Sequence, residues 1–338
     1  MNSQNMKIII VIIIFSSIVL WLIMIKRMSK KYAIKRNMAK KNEIIINNKD
    51  KYEQIMNENE SNLFHEKRIA AYYTIVYIVI TVILILNVRT MLMWVLSALF
   101  LVVFGLIGNR IVGPYLTKHS QNYNDIVSKV LKELDDNIEY FPNDGFKYEE
   151  YRNLFFAEPC DYFSSNDMII NPQNNFCYSD ILIENTETDT EGHSYSVVKF
   201  RGSLSKIKIN NVGCTIILGG LGKKSFLNSQ RFKNIEFENE EFNKLFICFS
   251  DNELMAYKLL TPDVMEKFVS IKNATLSDID IRIINDKLYI RFEGINLFTG
   301  NLLSNEAEKK ELFVSITVLD QIMKTIINLK NIIDDKVK

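Results

Sequence analysis

The sequence predicts an α+β fold: a cytoplasmic domain with an antiparallel sheet and packed helices, preceded by three transmembrane helices. Three observations predict it. Residues 8–25, 69–86 and 91–112 are almost unbroken runs of Ile, Val, Leu, Phe, Met and Tyr. From Asp167 onward, short alternating apolar segments are separated by turn residues. Helix signals with capping chemistry are interspersed, without the regular strand–helix–strand alternation of a parallel sheet.

The apolar runs come first. A helix rises about 1.5 Å per residue, so roughly 20 apolar residues cross the ~30 Å hydrocarbon core. The first run reads as an uncleaved anchor, because no small-x-small cleavage site stands before Lys26-Arg27. The loop 26–68 holds 12 Lys/Arg. Lys26, Arg27, Lys30, Lys31, Lys35, Arg36, Lys40 and Lys41 form a basic cluster expected to meet the anionic lipid headgroups of the bilayer. Positive residues near span ends stay on the cytoplasmic side. The expectation is therefore a multi-pass protein of the bacterial cell membrane, with the N-terminus outside and the C-terminal domain cytoplasmic. Gly105 and Gly108 are three apart, which is not the dimerising small-xxx-small spacing, and read as ordinary glycines of a membrane helix.

These features divide the chain into an anchor (1–25), a basic cytoplasmic arm (26–68), a transmembrane hairpin (69–112), an amphipathic helical linker (113–145) and the α+β domain (146–338). Charge follows the same division. Residues 1–119 hold 16 basic and 6 acidic residues, a net of +10, whereas residues 120–338 hold 25 basic and 34 acidic, a net of −9. An acidic domain repels nucleic acid, so a nucleic-acid role is disfavoured, and it suits a basic protein partner or the chain's own arm.

Beyond the third run, Gly113-Pro114 is expected to end the helix. Residues 121–138 repeat Ile126, Val127, Val130, Leu131, Leu134 and Ile138 at helical spacing. Pro142-Asn143-Asp144-Gly145 breaks the pattern, and a short helix covers 148–156. Asn175–Glu184 alternates as a strand, and Glu184–Glu191 reads as an acidic loop. Tyr195–Phe200 and Leu204–Ile209 read as two strands joined at Arg201-Gly202. Cys214–Leu218 and Leu245–Phe249 are short apolar strands. Ser250-Asp251-Asn252-Glu253 has the form of a capping box with Ser250 as the cap. Thr261-Pro262-Asp263 is a cap followed by proline at the first helical position, where its missing N–H costs nothing. Residues 278–284 and 287–293 form a hairpin through Asn285-Asp286. Residues 311–333 form a long helix with an apolar face.

The chemistry-bearing residues are sparse. The four cysteines, Cys160, Cys177, Cys214 and Cys248, include no C-x-x-C pair and read as free thiols in apolar surroundings. His65, His119 and His193 give no metal-ligand spacing. Gly219-Gly220-Leu221-Gly222-Lys223-Lys224-Ser225 fails the phosphate-loop pattern: Ile217 stands where the first glycine belongs, and Lys224 separates Lys223 from Ser225. It reads as a surface turn. His193, within Thr188–His193, reads as a solvated residue of an acidic loop. No catalytic, cofactor or metal residue is nominated.

Several blocks carry a resemblance: Phe200-Arg201-Gly202, Glu241–Phe246, Ser250–Glu253 running into Ala256–Glu266, Lys287-Leu288-Tyr289-Ile290 and Asn296-Leu297-Phe298. Over Tyr151 to about Ile333 the chain resembles a bacterial membrane-anchored family catalogued as domain of unknown function 3137. A lysine is usual in that family where Arg201 stands, and a glycine-poor segment where Gly219–Gly222 stands. The resemblance implies an architecture and no site, and the strongest block is made of caps and core positions.

The function expected is that of a protein-binding or scaffolding module with a protein partner and no cofactor. The alternative is a lipid- or small-ligand-sensing domain, its pocket lined by the apolar faces of 175–218 and 278–298. The third is an enzyme, which would need convergent polar groups in one cleft.

Overall fold

The computed structural model describes residues 71–83, 90–155, 159–189, 192–219, 232–275, 277–298 and 306–338. The chain divides into two compact units. Among the described residues the first unit holds 71–83, 90–127 and 306–311, and the second holds 128–299 and 312–338.

The first unit is helical. Residues 71–83 form one helix, and α1 (Met91–Lys132) begins there. The rings of Tyr73 and Tyr77 stack on Phe104 at 5.4 and 5.9 Å, and the Tyr73 hydroxyl donates to the Phe104 carbonyl at 2.6 Å. Gly108 makes this contact possible, since a Cβ there would overlap the Tyr73 ring. It is a notch for a phenol, not an incidental glycine. Ile75, Val79, Leu99, Val102 and Leu106 are exposed on these helices.

The expected membrane spans are corrected here. Among the described residues no helix is long and apolar enough to cross a membrane. The apolar start of α1 is not a separate span either. The helix runs on through Arg110 and Pro114 and ends among Lys129 and Lys132. The first apolar run lies outside the described residues. The three-transmembrane-helix class and the multi-pass placement in a bacterial cell membrane are therefore both overturned. Pro114 also fails to stop the helix: it lies inside α1, where its missing N–H removes one backbone bond without ending the element.

The second unit is built on one antiparallel sheet of nine strands, in the order β1-β2-β3-β4-β9-β8-β5-β7-β6. These are β1 (Glu139–Phe141), β2 (Tyr162–Asn171), β3 (Phe176–Thr188), β4 (Ser194–Lys208), β5 (Thr215–Gly219), β6 (Lys233–Ile235), β7 (Ile247–Ser250), β8 (Ile279–Ile284) and β9 (Lys287–Glu293). The helices are α2 (Tyr148–Phe155), α3 (Glu240–Leu245), α4 (Glu253–Leu259), α5 (Pro262–Thr275) and α6 (Glu306–Val337). The α+β antiparallel class holds.

Both faces of the sheet's centre are buried. One face carries Ile169, Tyr178, Ile207, Ile281, Ile283, Ile290 and Phe292, all fully buried. The apolar faces of 175–218 and 278–298 are thus core. On the other face α2 lays Tyr151, Leu154 and Phe155 against Ile181, Ile183, Phe200, Leu204 and Tyr289. The β8–β9 hairpin turns at Asn285-Asp286 as expected, with Asn285 in the left-handed region that Asn tolerates (φ 53°).

Two local readings change. The α4 cap is Asn252, whose side chain accepts the Met255 amide at 3.1 Å. Ser250 belongs to β7, and its hydroxyl donates to the Thr215 carbonyl at 2.9 Å. Residues 194–208 form one strand, not two. Gly202 is there because a Cβ would strike the Phe292 carbonyl on β9.

Candidate interaction edge

The sequence nominates no catalytic or ligand residue in this unit, and its basic cluster, Lys26 to Lys41, lies outside the described residues. The glycine-rich turn does too, beyond Gly219, which ends β5. His193 is exposed, with its ring nitrogen 3.3 Å from Asp189 Oδ2, as a solvated loop histidine should be. The four cysteines are free: Cys214 and Cys248 are buried, Cys160 and Cys177 half-buried. Burial pushes the Cys248 thiol up to about 12 and Cys177 to about 11, which makes both poor nucleophiles. Among the described residues no group of three His, Cys, Asp or Glu could hold a metal ion.

What the sequence reading missed is a ribbon. The segment Glu184–Thr188, expected as an acidic loop, continues β3 and pairs with Ser194–Val198 of β4. A two-stranded ribbon faces water on both sides, so its charges cost nothing, and weak strand propensity does not break it. Lys199 reaches Glu187 at 2.5 Å, and Ser196 donates to Glu184 at 3.0 Å. The Asp161 carboxylate accepts the Thr186 amide at 2.6 Å on the β3 side. On the β4 side, β9 begins to pair only at Gly202. Among the described residues no strand lies along the outer edge of 195–200. Tyr195 is 50 % and Val198 44 % exposed there.

The root of this ribbon is packed against charged and aromatic side chains. Phe200 lies under the Arg291 guanidinium, 4.8 Å from its ring centroid, and the same guanidinium lies 4.5 Å from the Phe155 ring. Arg291 pairs with Asp280 and donates to the Tyr151 hydroxyl at 2.7 Å. Burial pulls the Arg291 guanidinium down, but Asp280 and Tyr151 outweigh it, so the net shift is upward. Arg282 donates through Nε to the Leu154 carbonyl at the end of α2, and through Nη1 to Leu218 and Ile281. Its charge settles on the carbonyl end of a helix. Alternation in Ile279–Ile284 suggests a solvent face for Asp280 and Arg282. One signal could have corrected this: a two-residue turn at 285–286 already places Asp280 opposite Arg291.

A second polar node lies on the opposite face. Asp180 accepts from the Tyr178 hydroxyl at 2.9 Å and from the Leu297 and Phe298 amides at 3.1 and 2.9 Å. Nearby, Asp167 sits at the β2 bulge with φ 57° and accepts from the Tyr140 hydroxyl at 2.5 Å. Burial pushes its carboxyl up to about 7; the Tyr140 bond opposes the shift and the charge on Asp180 adds to it.

The comparisons bear on the family alone. Residues 198–335 match the family described as "Protein of unknown function (DUF3137)". The resemblance read from the sequence thus holds, starting later than Tyr151. No curated protein matches the chain. Among solved structures, the crystal structure of the mycobacterial trehalose monomycolate transport factor A, TtfA, is similar at 7 % identity, with a TM-score of 0.31. The likeness covers 59 % of this chain and 95 % of that one.

Proposed function

We propose that this chain, which matches DUF3137 over residues 198–335, is a protein-binding module that takes an extended segment of its partner along the free edge of β4. One observation carries the reading: β4 overhangs β9, so residues 195–198 present backbone groups with no neighbouring strand among the described residues. Such an edge pairs with an added strand, with main-chain bonds giving affinity and flanking side chains giving selectivity. Tyr195 and Val198 supply apolar contact. Glu184, Glu187 and Asp189 flank it and outweigh Lys199 in charge, which favours a basic segment. The arm 26–68 meets that description as well as a separate partner does.

The test is amide hydrogen exchange of the full chain, with and without its residues 1–68 and with a partner captured by a photo-crosslinker at position 198. Alternate amides within 195–198 should exchange quickly in the chain lacking 1–68 and become protected when the segment binds. Val198→Lys should abolish both protection and crosslink. Protection already complete in the chain lacking 1–68, with no partner present, sinks the reading.

A further inference from the structure

Asp167 and Asp180 are buried carboxylates on neighbouring strands. The register of β2 and β3 places Asn166 opposite Asp180, so Asp167 follows directly, at the bulge. Their support differs. Asp180 accepts two amides and a phenol, a set that favours a charged carboxylate. Asp167 takes its one side-chain bond, among the described residues, from the Tyr140 hydroxyl. A buried carboxyl with so little support, beside a second one, favours its protonated form. The rise of its carboxyl to about 7 agrees with this. The titratable groups that act on Asp167 are Tyr140 from β1 and Asp180 from β3, and Tyr178 feels the Asp167 charge in turn. Asp144, in the turn after β1, lends Met168 its backbone carbonyl and is itself exposed. Residues 299–305, which continue from Phe298, contain no titratable side chain.

Tyr140 stands on a slight element. β1 has three residues, lies at one end of the sheet and pairs with β2 alone. The Tyr140 hydroxyl bonds Asp167, and its ring meets Phe298 at 6.0 Å. Departure of β1 would therefore give Asp167 water. The phenol bond strengthens when Asp167 ionises and resists that departure, but burial and the charge on Asp180 outweigh it. We propose that β1 is a pH-operated latch: with Asp167 protonated it lies closed on β2, and loss of that proton to water lets it swing away, hydrating Asp167 and uncovering Phe298 and the edge of Met168–Ile170. The latch is separate from the β4 edge, and its failure would leave that reading intact.

The experiment is amide hydrogen exchange of the full chain from pH 5 to 8, with the intrinsic chemical rate divided out. The reporters are the β1 amides and the Met168 amide, which donates to the Asp144 carbonyl at 3.1 Å. The closed form holds a proton that the open form has lost, so opening grows as pH rises. With carboxyl values of 3.8 when open and about 7 when closed, protection should fall by roughly fifty-fold between pH 5 and 7 and level off by pH 8. It should stay below that of β9 throughout, because the opening is local. Asp167→Asn should hold one protection across the range. A flat profile in the unaltered chain overturns the proposal, as does an equal fall in Asp167→Asn or a β1 that opens only together with β9. Should that variant not fold, carbon NMR of the Asp167 carboxyl in the unaltered chain decides. Titration in step with β1 exchange supports the latch, and titration near the ordinary 3.8 rejects it.

Discussion

Asp180 on β3 and Phe298, 118 residues further along the chain, are joined by a buried hydrogen bond in which the Phe298 amide donates to Asp180 Oδ2 at 2.9 Å. The Leu297 amide and the Tyr178 hydroxyl fill Oδ1. One carboxylate therefore fixes where the backbone after β9 runs. Asp180→Ala should cost about 3 kcal/mol or more, because it leaves buried donors without acceptors. Asp180→Asn, which keeps one acceptor oxygen, should cost less. Urea denaturation gives the two values, and a smaller loss for Ala than for Asn contradicts the role.

Asp167 supplies a pH dependence with a definite sign. Its carboxyl is raised from 3.8 to about 7 in the folded protein. Between those values the folded state keeps a proton that the unfolded state has lost, so stability falls as pH rises and levels off above about 7. Asp167→Asn should match the unaltered protein near pH 4 and be more stable at pH 8, by up to about 4 kcal/mol. The difference in unfolding free energy between the two proteins, followed across pH, isolates this group. A difference that does not change with pH refutes it.

Gly202 and Gly213 should respond differently to the same substitution. Gly202→Ala drives a methyl into the Phe292 carbonyl and should cost about 3 kcal/mol or more. Gly213 has φ 64° with open space around it, so Gly213→Ala meets only backbone strain and should cost about 1 kcal/mol. Thermal melts of both variants give the ranking, and a reversed order would show that 194–208 is not one strand against β9.

The α4 cap is testable in the same way. Asn252→Ala should cost about 1 kcal/mol, the usual loss for a missing N-cap acceptor. Ser250→Ala should chiefly loosen β5 from β7, because its hydroxyl serves the Thr215 carbonyl, and should disturb the start of α4 less than Asn252→Ala, because there it accepts only the Asn252 amide. Exchange rates at Met255 and in β5 separate the two effects.

Much of the sheet was legible in the sequence, because alternation and turn chemistry are local. Asn285-Asp286 between two apolar runs dictates the β8–β9 hairpin, and Thr261-Pro262 dictates the start of α5. The failures were places where a distant neighbour decides. Gly202 looks like a turn glycine until Phe292 is placed beside it. Glu184–Thr188 looks like a loop until β4 pairs with it. Pro114 looks like a helix end until α1 is seen to continue. The α1 apolar run and 69–86 look like spans, but among the described residues no helix is long and apolar enough to cross a membrane. Of the candidate sites, the Asp280–Arg291 pair follows from the hairpin register, but the burial of Arg282 depends on α2, more than 120 residues upstream.

The DUF3137 match begins at residue 198, within β4. What recurs as a block of sequence is therefore not what must be made as a block of protein. A fragment excised at 198 would lose β1, β2, β3 and α2 together, and with them the partners of Phe200, Leu204 and Tyr289. It would also bare the whole inner margin of β4 as a raw, sticky border. The shortest piece worth expressing starts ahead of β1, and the ancestry of the region says less about its boundaries than its hydrogen bonds do.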